Sequence, residues 1–200
     1  DLIKRWIAEG AKDDTPEGIS DTFSAEKPPT YSAPPVITAI AYSPDSSLLA
    51  ISGFHEILVH KADGSGLVHR LGGRSQRLNS IRFSPDGKRI AAVGGTPALF
   101  GEVQFWNLAD QKPVATLKGH TAAVRAIACS PDGATVATAS EDATVKLWKT
   151  ADWSERASLA GTEGGMFWGL AFSPPGRTCA AGAFEWTVNL YAPPGGEGRA

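Results

Sequence analysis

Two hundred residues, 42% hydrophobic and 20% charged, describe an ordinary globular chain, long enough to bury about 70% of the surface its unfolded form exposes. A formal charge of -2 provides no field that would steer it to nucleic acid or to an anionic membrane. Apolar stretches such as 36–42 fall far short of the roughly 18 residues that span a bilayer, so protein partners are expected, with no nucleic acid and no membrane insertion.

Residues 1–12 place Leu2, Ile3, Trp6 and Ile7 at helical spacing, with Gly10 as a stop, and predict a short amphipathic helix. A helix of about ten residues is marginal alone in water, so this stripe is expected to pack on something. From 13 to 35 the composition shifts to Asp, Glu, Ser, Thr and Pro, with Lys27-Pro28-Pro29 and Ala33-Pro34-Pro35, and reads as an extended linker. The chain starts at Asp1 and shows no leader pattern, so it reads as a segment of a longer protein with any export signal upstream.

From residue 36 onward the sequence repeats. Ser43-Pro44, Ser84-Pro85, Ser130-Pro131 and Ser173-Pro174 recur at intervals of 41, 46 and 43 residues, the period of propeller blades. Each pair follows a predicted inner strand, at 36–42, 78–83, 124–129 and 167–172. Bulky Ile40, Ile81, Ile127 and Leu170 alternate there with small Ala39, Ser80, Ala126 and Gly169, which suits a sheet covered on both faces. A second strand rich in Ala and β-branched residues follows at 48–52, 89–94, 135–140 and 178–183. A third ends in a ring, at 57–60, 103–106, 145–148 and 188–191, and an outer strand is predicted at 67–71, 113–117 and 156–159. The second repeat carries a longer connection at 94–101, expected to form a recognition loop at one rim.

Lys118-Gly119-His120, Ser130-Pro131-Asp132-Gly133 and the run from Ser140-Glu141-Asp142 to Leu147-Trp148 closely resemble the WD-repeat signature, and the resemblance extends over residues 35–200. It implies an all-β WD-repeat β-propeller, a partial ring of four blades of four-stranded antiparallel sheet at 36–71, 78–117, 123–159 and 166–192, preceded by the short N-terminal helix. The fourth blade lacks sequence for an outer strand. In that family a His, a Ser or Thr, an Asp and a Trp form a hydrogen-bonded chain. The matching residues are His120, Thr138 (with Ser140 as the alternative), Asp142 and Trp148, and the role implied is structural. The other repeats depart from the pattern: Ala33, Arg74 and Glu163 stand at the His120 position, and His60, Trp106 and Tyr191 at that of Trp148.

A helix, a linker and a propeller in this order, with residues 2–11, Gly53-Phe54-His55-Glu56 and Phe100-Gly101-Glu102-Val103, resemble the planctomycete-type bacterial proteins that fuse a c-type cytochrome domain to WD repeats. This implies that residues 1–12 close an upstream cytochrome-like domain, that 13–35 link it to a propeller at 36–200, and that the protein is periplasmic or otherwise exported; a cytoplasmic location is the alternative. No Cys-x-x-Cys-His occurs in the chain, so no cofactor is expected here, and haem c would belong to the upstream domain.

There is no Gly-x-Ser-x-Gly, phosphate loop or His-Glu-x-x-His, and Gly64-Ser65-Gly66 reads as a turn. His55, His60, His69 and His120 have no metal-ligand spacing, and Cys129 shares a core column with Tyr42, Phe83 and Phe172. No catalytic residue and no metal site is therefore expected. Trp168 shares a column with Thr38, Asn79 and Arg125 at the start of the inner strands, near the rim of a central channel. Arg77, Asn79, Arg125 and Trp168 are the candidate partner-binding residues, since Trp and Arg anchor binding hot spots; a merely solvated rim is the alternative. The reading that follows is a non-catalytic protein–protein interaction scaffold, with a propeller serving a larger haem-containing redox enzyme or electron-transfer protein as the alternative. Four blades in an open array leave two apolar flanks, for which a truncated record is expected over two copies closing one ring or four blades closing alone.

Overall fold

The computed structural model describes residues 36–73, 75, 77–96, 100–161, 165–184 and 187–192. The predicted N-terminal helix and the linker lie outside them. The described residues form fifteen strands in four antiparallel sheets, each strand paired with its neighbours in sequence. The first sheet comprises β1 (Ile40–Tyr42), β2 (Leu48–Ser52), β3 (Glu56–Lys61) and β4 (Leu67–Gly72). The second comprises β5 (Leu78–Phe83), β6 (Arg89–Thr96), β7 (Phe100–Asn107) and β8 (Pro113–His120). The third holds β9 (Val124–Cys129), β10 (Thr135–Ser140), β11 (Thr144–Lys149) and β12 (Glu155–Ala160). The fourth has β13 (Phe167–Phe172), β14 (Cys179–Ala183) and β15 (Val188–Tyr191), and no outer strand among the described residues.

Alternation along the strands gives each sheet two apolar faces, and the core lies between sheets. Ile57, Val59 and Leu71 of the first sheet meet Ile81, Ile90 and Trp106 of the second. The opposite face of the second sheet, with Val93, Val103 and Phe105, meets Val124, Ile127 and Trp148 of the third. Ala139 and Val145 of the third sheet then meet Phe167 and Ala181 of the fourth. The small residues of the second strands sit at sheet centres, where β10 is buried along its whole length and lets neighbouring sheets approach. Each large side chain buried in this way contributes about 1.5–3 kcal/mol.

The Ser-Pro pairs are the turns between first and second strands. Ser43, Ser84 and Ser130 each donate a hydroxyl proton to the Asp two residues on at 2.5 Å, while accepting the amide of Leu48, Arg89 or Thr135. Hydrogen bonds from Ser43 and then Ser47 pull the Asp45 carboxyl down to about 2. The fourth turn has Pro175 in place of the Asp and keeps only the Thr178 amide on Ser173 Oγ, at 3.1 Å. Gly87, Gly133 and Gly176 take φ near +70°, where a side chain is disfavoured. The turns also stack, the Cβ positions of Gly133 and Gly176 lying 3.9 and 3.3 Å from Cδ of Pro85 and Pro131 in the preceding sheet.

Several boundaries differ from those expected, three of them by three residues or more. β1 starts at Ile40 rather than 36, because the amides of Thr38 and Ala39 bond Ser52 Oγ instead of a backbone ladder. The expected rim loop at 94–101 is mostly strand: β6 and β7 extend through Gly94↔Glu102, Gly95↔Gly101 and Thr96↔Phe100 as a long hairpin. β8 runs on past 117 to His120, which places that side chain at the edge of the second sheet, facing the third.

Among the described residues, the flank at the fourth sheet is uncovered. Val188 and Leu190 are 66% and 70% exposed, whereas Val103 and Phe105, at the same positions of the second sheet, are 1% and 3% exposed. No described helix is long and apolar enough to cross a membrane.

Candidate functional site

The implied hydrogen-bonded chain is present, and it spans two sheets rather than lying within one. Trp148 Nε1–H donates to Thr138 Oγ1 at 2.8 Å, Thr138 Oγ1 lies 2.8 Å from His120 Nε2, and His120 Nδ1 lies 2.9 Å from Asp142 Oδ2. With the imidazole proton on Nδ1 and Thr138 donating to Nε2, every polar atom of the relay has a partner. Burial would raise the Asp142 carboxyl, but hydrogen bonds from His120 and Thr144, the proximity of His120 and the Thr121 amide outweigh it and hold the group well below the usual carboxylate range. Ser140, the alternative to Thr138, instead donates to the carbonyls of Ala122 and Ala123 and supports the turn. Since His120 closes β8 while its three partners belong to the third sheet, the chain bolts sheet two to sheet three.

The junction between sheets one and two is built differently. Glu56 and Glu102 stand at the position of Thr144, one residue before the third-strand Ile57 or Val103. Glu102 accepts the hydroxyl of Ser75 at 3.1 Å, with the Gln104 amide 3.5 Å away, and Arg70 sits 3.4 Å from Glu56. The Ser75–Glu102 bond ties the β4–β5 connection to the second sheet, while Glu56–Arg70 and Glu102–Gln104 each lie within one sheet, so both buried glutamates keep polar partners.

The rim column separates into two kinds of residue. Thr38 donates to the carbonyl of Leu78, and Asn79 Nδ2 donates to that of Val124 at 2.8 Å. In each case the side chain staples one inner strand to the next, so Asn79 has a structural use that its residue type did not announce. Arg77 is exposed at the same end of β5. Arg125 is clamped: its Nε and Nη2 donate to Glu141 Oε1, and its guanidinium lies 4.6 Å over the ring of Trp168. Trp168 is 48% exposed, and Met166 and Phe184 on the same rim are exposed too, joined through Phe184 N to Met166 O at 2.9 Å. The result is an aromatic surface fixed from behind by an ion-paired cation.

At the opposite end of the same sheets, a groove of about 400 Å³ opens between sheets two and three. Its sequence signal lay in the turns between third and fourth strands. Gly64, Gln111 and Trp153 hold the same left-handed position there, and a Trp where another repeat has Gly is the unusual choice. Trp153 packs on Phe105 with ring centroids 4.3 Å apart, and Arg89 lies 5.7 Å over it.

Among the described residues no three His, Cys, Asp or Glu side chains gather in a metal-binding group. Burial pushes the thiols of Cys129 and Cys179 up to about 11, which makes them poor nucleophiles near neutral pH.

Successive antiparallel sheets of three or four strands packed face to face, with Ser-Pro turns and an intersheet His–Asp–Thr–Trp chain, are the arrangement of a β-propeller fold. Residues 65–96 and 111–149 match the family described as "WD domain, G-beta repeat". The chain is similar to the Target of rapamycin complex subunit wat1 of Schizosaccharomyces pombe, with 34% identity over 112 residues, 55% of this chain and 35% of that protein. It is similar to the Small ribosomal subunit protein RACK1y of Oryza sativa subsp. japonica, with 34% identity over 120 residues, 60% of this chain and 34% of that protein. To the Apoptotic protease-activating factor 1 of Homo sapiens it is 25% identical over 149 residues, 74% of this chain and 12% of that protein. The chain thus spans about a third or less of the length of these curated relatives, all of which are eukaryotic.

Proposed function

We propose that this protein is a non-catalytic interaction scaffold and that a protein partner docks on the rim at Arg125 and Trp168. One observation carries the site: a half-exposed Trp ring held against a guanidinium that Glu141 already fixes, so little side-chain entropy is lost on binding. WD-repeat relatives support the scaffold reading in general; by name, one is a subunit of a complex and one a ribosomal-subunit protein. The placement of this scaffold beside a haem domain in an exported protein rests on the resemblance of residues 2–11 to the cytochrome fusions. A Cys-x-x-Cys-His in the coding sequence upstream would support that placement.

The test is affinity capture from the source cells with wild type and with Arg125→Ala/Trp168→Ala, followed by titration of any purified partner. Loss of that partner from the double variant, with Kd raised at least about tenfold and the thermal melt retained, supports the reading. Equal capture by the two proteins sinks it.

A further inference from the structure

We propose that residues 1–12, which lie outside the described residues, cap the open face of the first sheet, seating the apolar stripe of Leu2, Ile3, Trp6 and Ile7 on Ile37, Ile40 and Tyr42. These last three are 58%, 60% and 59% exposed, whereas Leu78, Ile81 and Phe83, at the same positions of the second sheet, are 3%, 0% and 7% exposed because the first sheet covers them. Across the ladder, Ile40 pairs with Ile51 and Tyr42 with Leu49, both only part-buried, so the open face continues onto β2. On the outer strands it carries the Arg70–Glu56 ion pair, so its apolar part is centred on β1 and β2. The opposite face of the same sheet, with Ala50, Ile57 and Val59, is fully buried.

The end of a stack of sheets needs a cap with one apolar and one polar side. The sequence that leads into β1 supplies such a cap and not another sheet. Residues 13–35 carry none of the Ser-Pro repeat, and 1–12 place their apolar residues on one side of a helix, with Lys4, Arg5, Glu9 and Lys12 on the other. A helix of that length is marginal in water until its stripe is covered. The stripe and the first sheet are thus two unsatisfied apolar surfaces on one chain. A four-stranded sheet is only about 15 Å across, which residues 13–35 span with ease, and a tether of this kind holds the stripe at a local concentration on the order of millimolar, so a weak contact suffices. The other open face, with Val188 and Leu190, lies at the far end of the stack from the point where the tether enters. Capping the first sheet gives the stripe a surface within the chain, in place of the upstream domain that the resemblance to cytochrome fusions implies for it.

Hydrogen exchange of the full chain, followed by mass spectrometry, reads the contact. Amides of residues 2–10 should exchange at least about tenfold more slowly than in a peptide of residues 1–12 alone. Ile40→Lys/Tyr42→Lys should bring them to the peptide's rate, while Val188→Lys/Leu190→Lys should leave them slow. Trp6→Asp/Ile7→Asp, outside the sheets, should raise dye binding to apolar surface at least about twofold, and it decides the matter if the first variant does not fold. Wild-type amides at the free-peptide rate, protection that survives Ile40→Lys/Tyr42→Lys, protection lost with Val188→Lys/Leu190→Lys, or unchanged dye binding in Trp6→Asp/Ile7→Asp would each overturn the proposal.

Discussion

Replacing Thr138 by Val keeps the shape of the side chain and removes the hydroxyl at the centre of the intersheet chain. Two buried groups then lose a partner: Trp148 Nε1–H its acceptor and His120 Nε2 its donor, each now 2.8 Å from Thr138 Oγ1. Leaving a buried polar group unpaired costs about 1–3 kcal/mol, and the added methyl returns about 1 kcal/mol. The net loss is therefore about 1–5 kcal/mol. A central value of about 3 kcal/mol lowers Tm by about 6–12 °C in a unit of this size. Urea and thermal melts followed by tryptophan fluorescence measure it. Combining Thr138→Val with Trp148→Phe isolates the pair, because the second substitution removes the very N–H that the first orphans. A coupling of about 1 kcal/mol or more is expected. If Thr138→Val melts within about 0.5 kcal/mol of wild type, or the two changes add, the Thr138 hydroxyl is not what holds the relay together.

The Asp142 carboxyl is depressed in the folded protein, so its contribution is whole above the ordinary carboxylate pKa and is lost as pH falls through the folded value. Asp45, at about 2, acts with the same sign, so the urea midpoint should hold near neutral pH and fall from about pH 4 downward. Asp142→Asn should start lower and show a shallower fall; a fall as steep as wild type's contradicts the assignment. Gly101→Ala would place a Cβ 2.2 Å from the Ala122 carbonyl oxygen, whereas a Cβ on Gly169 meets nothing within 4 Å. The first should cost about 1–3 kcal/mol and the second almost nothing in thermal melts, and equal effects would refute the close approach. Val188→Lys with Leu190→Lys, on the open flank, should leave Tm unchanged while lowering dye binding to apolar surface and concentration-dependent mass in sedimentation. A clear drop in Tm would show that this flank is covered.

The repeat was legible because the Ser-Pro turns fix a phase, and once the phase is known the alternation assigns every strand to a face. His120, Thr138, Asp142 and Trp148 were legible as a set through the WD signature, but not the fact that their bonds cross between sheets, since period and spacing carry no record of which sheet an outer strand joins. The staples made by Asn79 and Thr38 were not legible, for a related reason. Their staples end on main-chain carbonyls of the next inner strand, which have no residue type to read. The rim loop became a hairpin because Gly94 and Gly95, read as loop formers, also pair without steric cost opposite Glu102 and Gly101. Trp153 escaped because its turn contains no other large apolar residue, and its packing depends on Phe105 arriving from the preceding sheet.

The junction between sheets two and three carries both the hydrogen-bonded chain and the groove, and the coincidence has a mechanical reading. A relay of four buried side chains fixes the two sheets at the end where β8 passes His120 to the next unit. With that end held, the sheets can part at the turn end without sliding, and the stacked turns of Ser84–Asp86 and Ser130–Asp132 set the width of the gap. At the junction of sheets one and two no such relay forms among the described residues, and Leu48, Phe83, Leu108 and Trp106 pack together there. Ala92 pairs with Ile81 where Thr138 pairs with Ile127, so β6 has no hydroxyl to link the Trp106 indole to a relay.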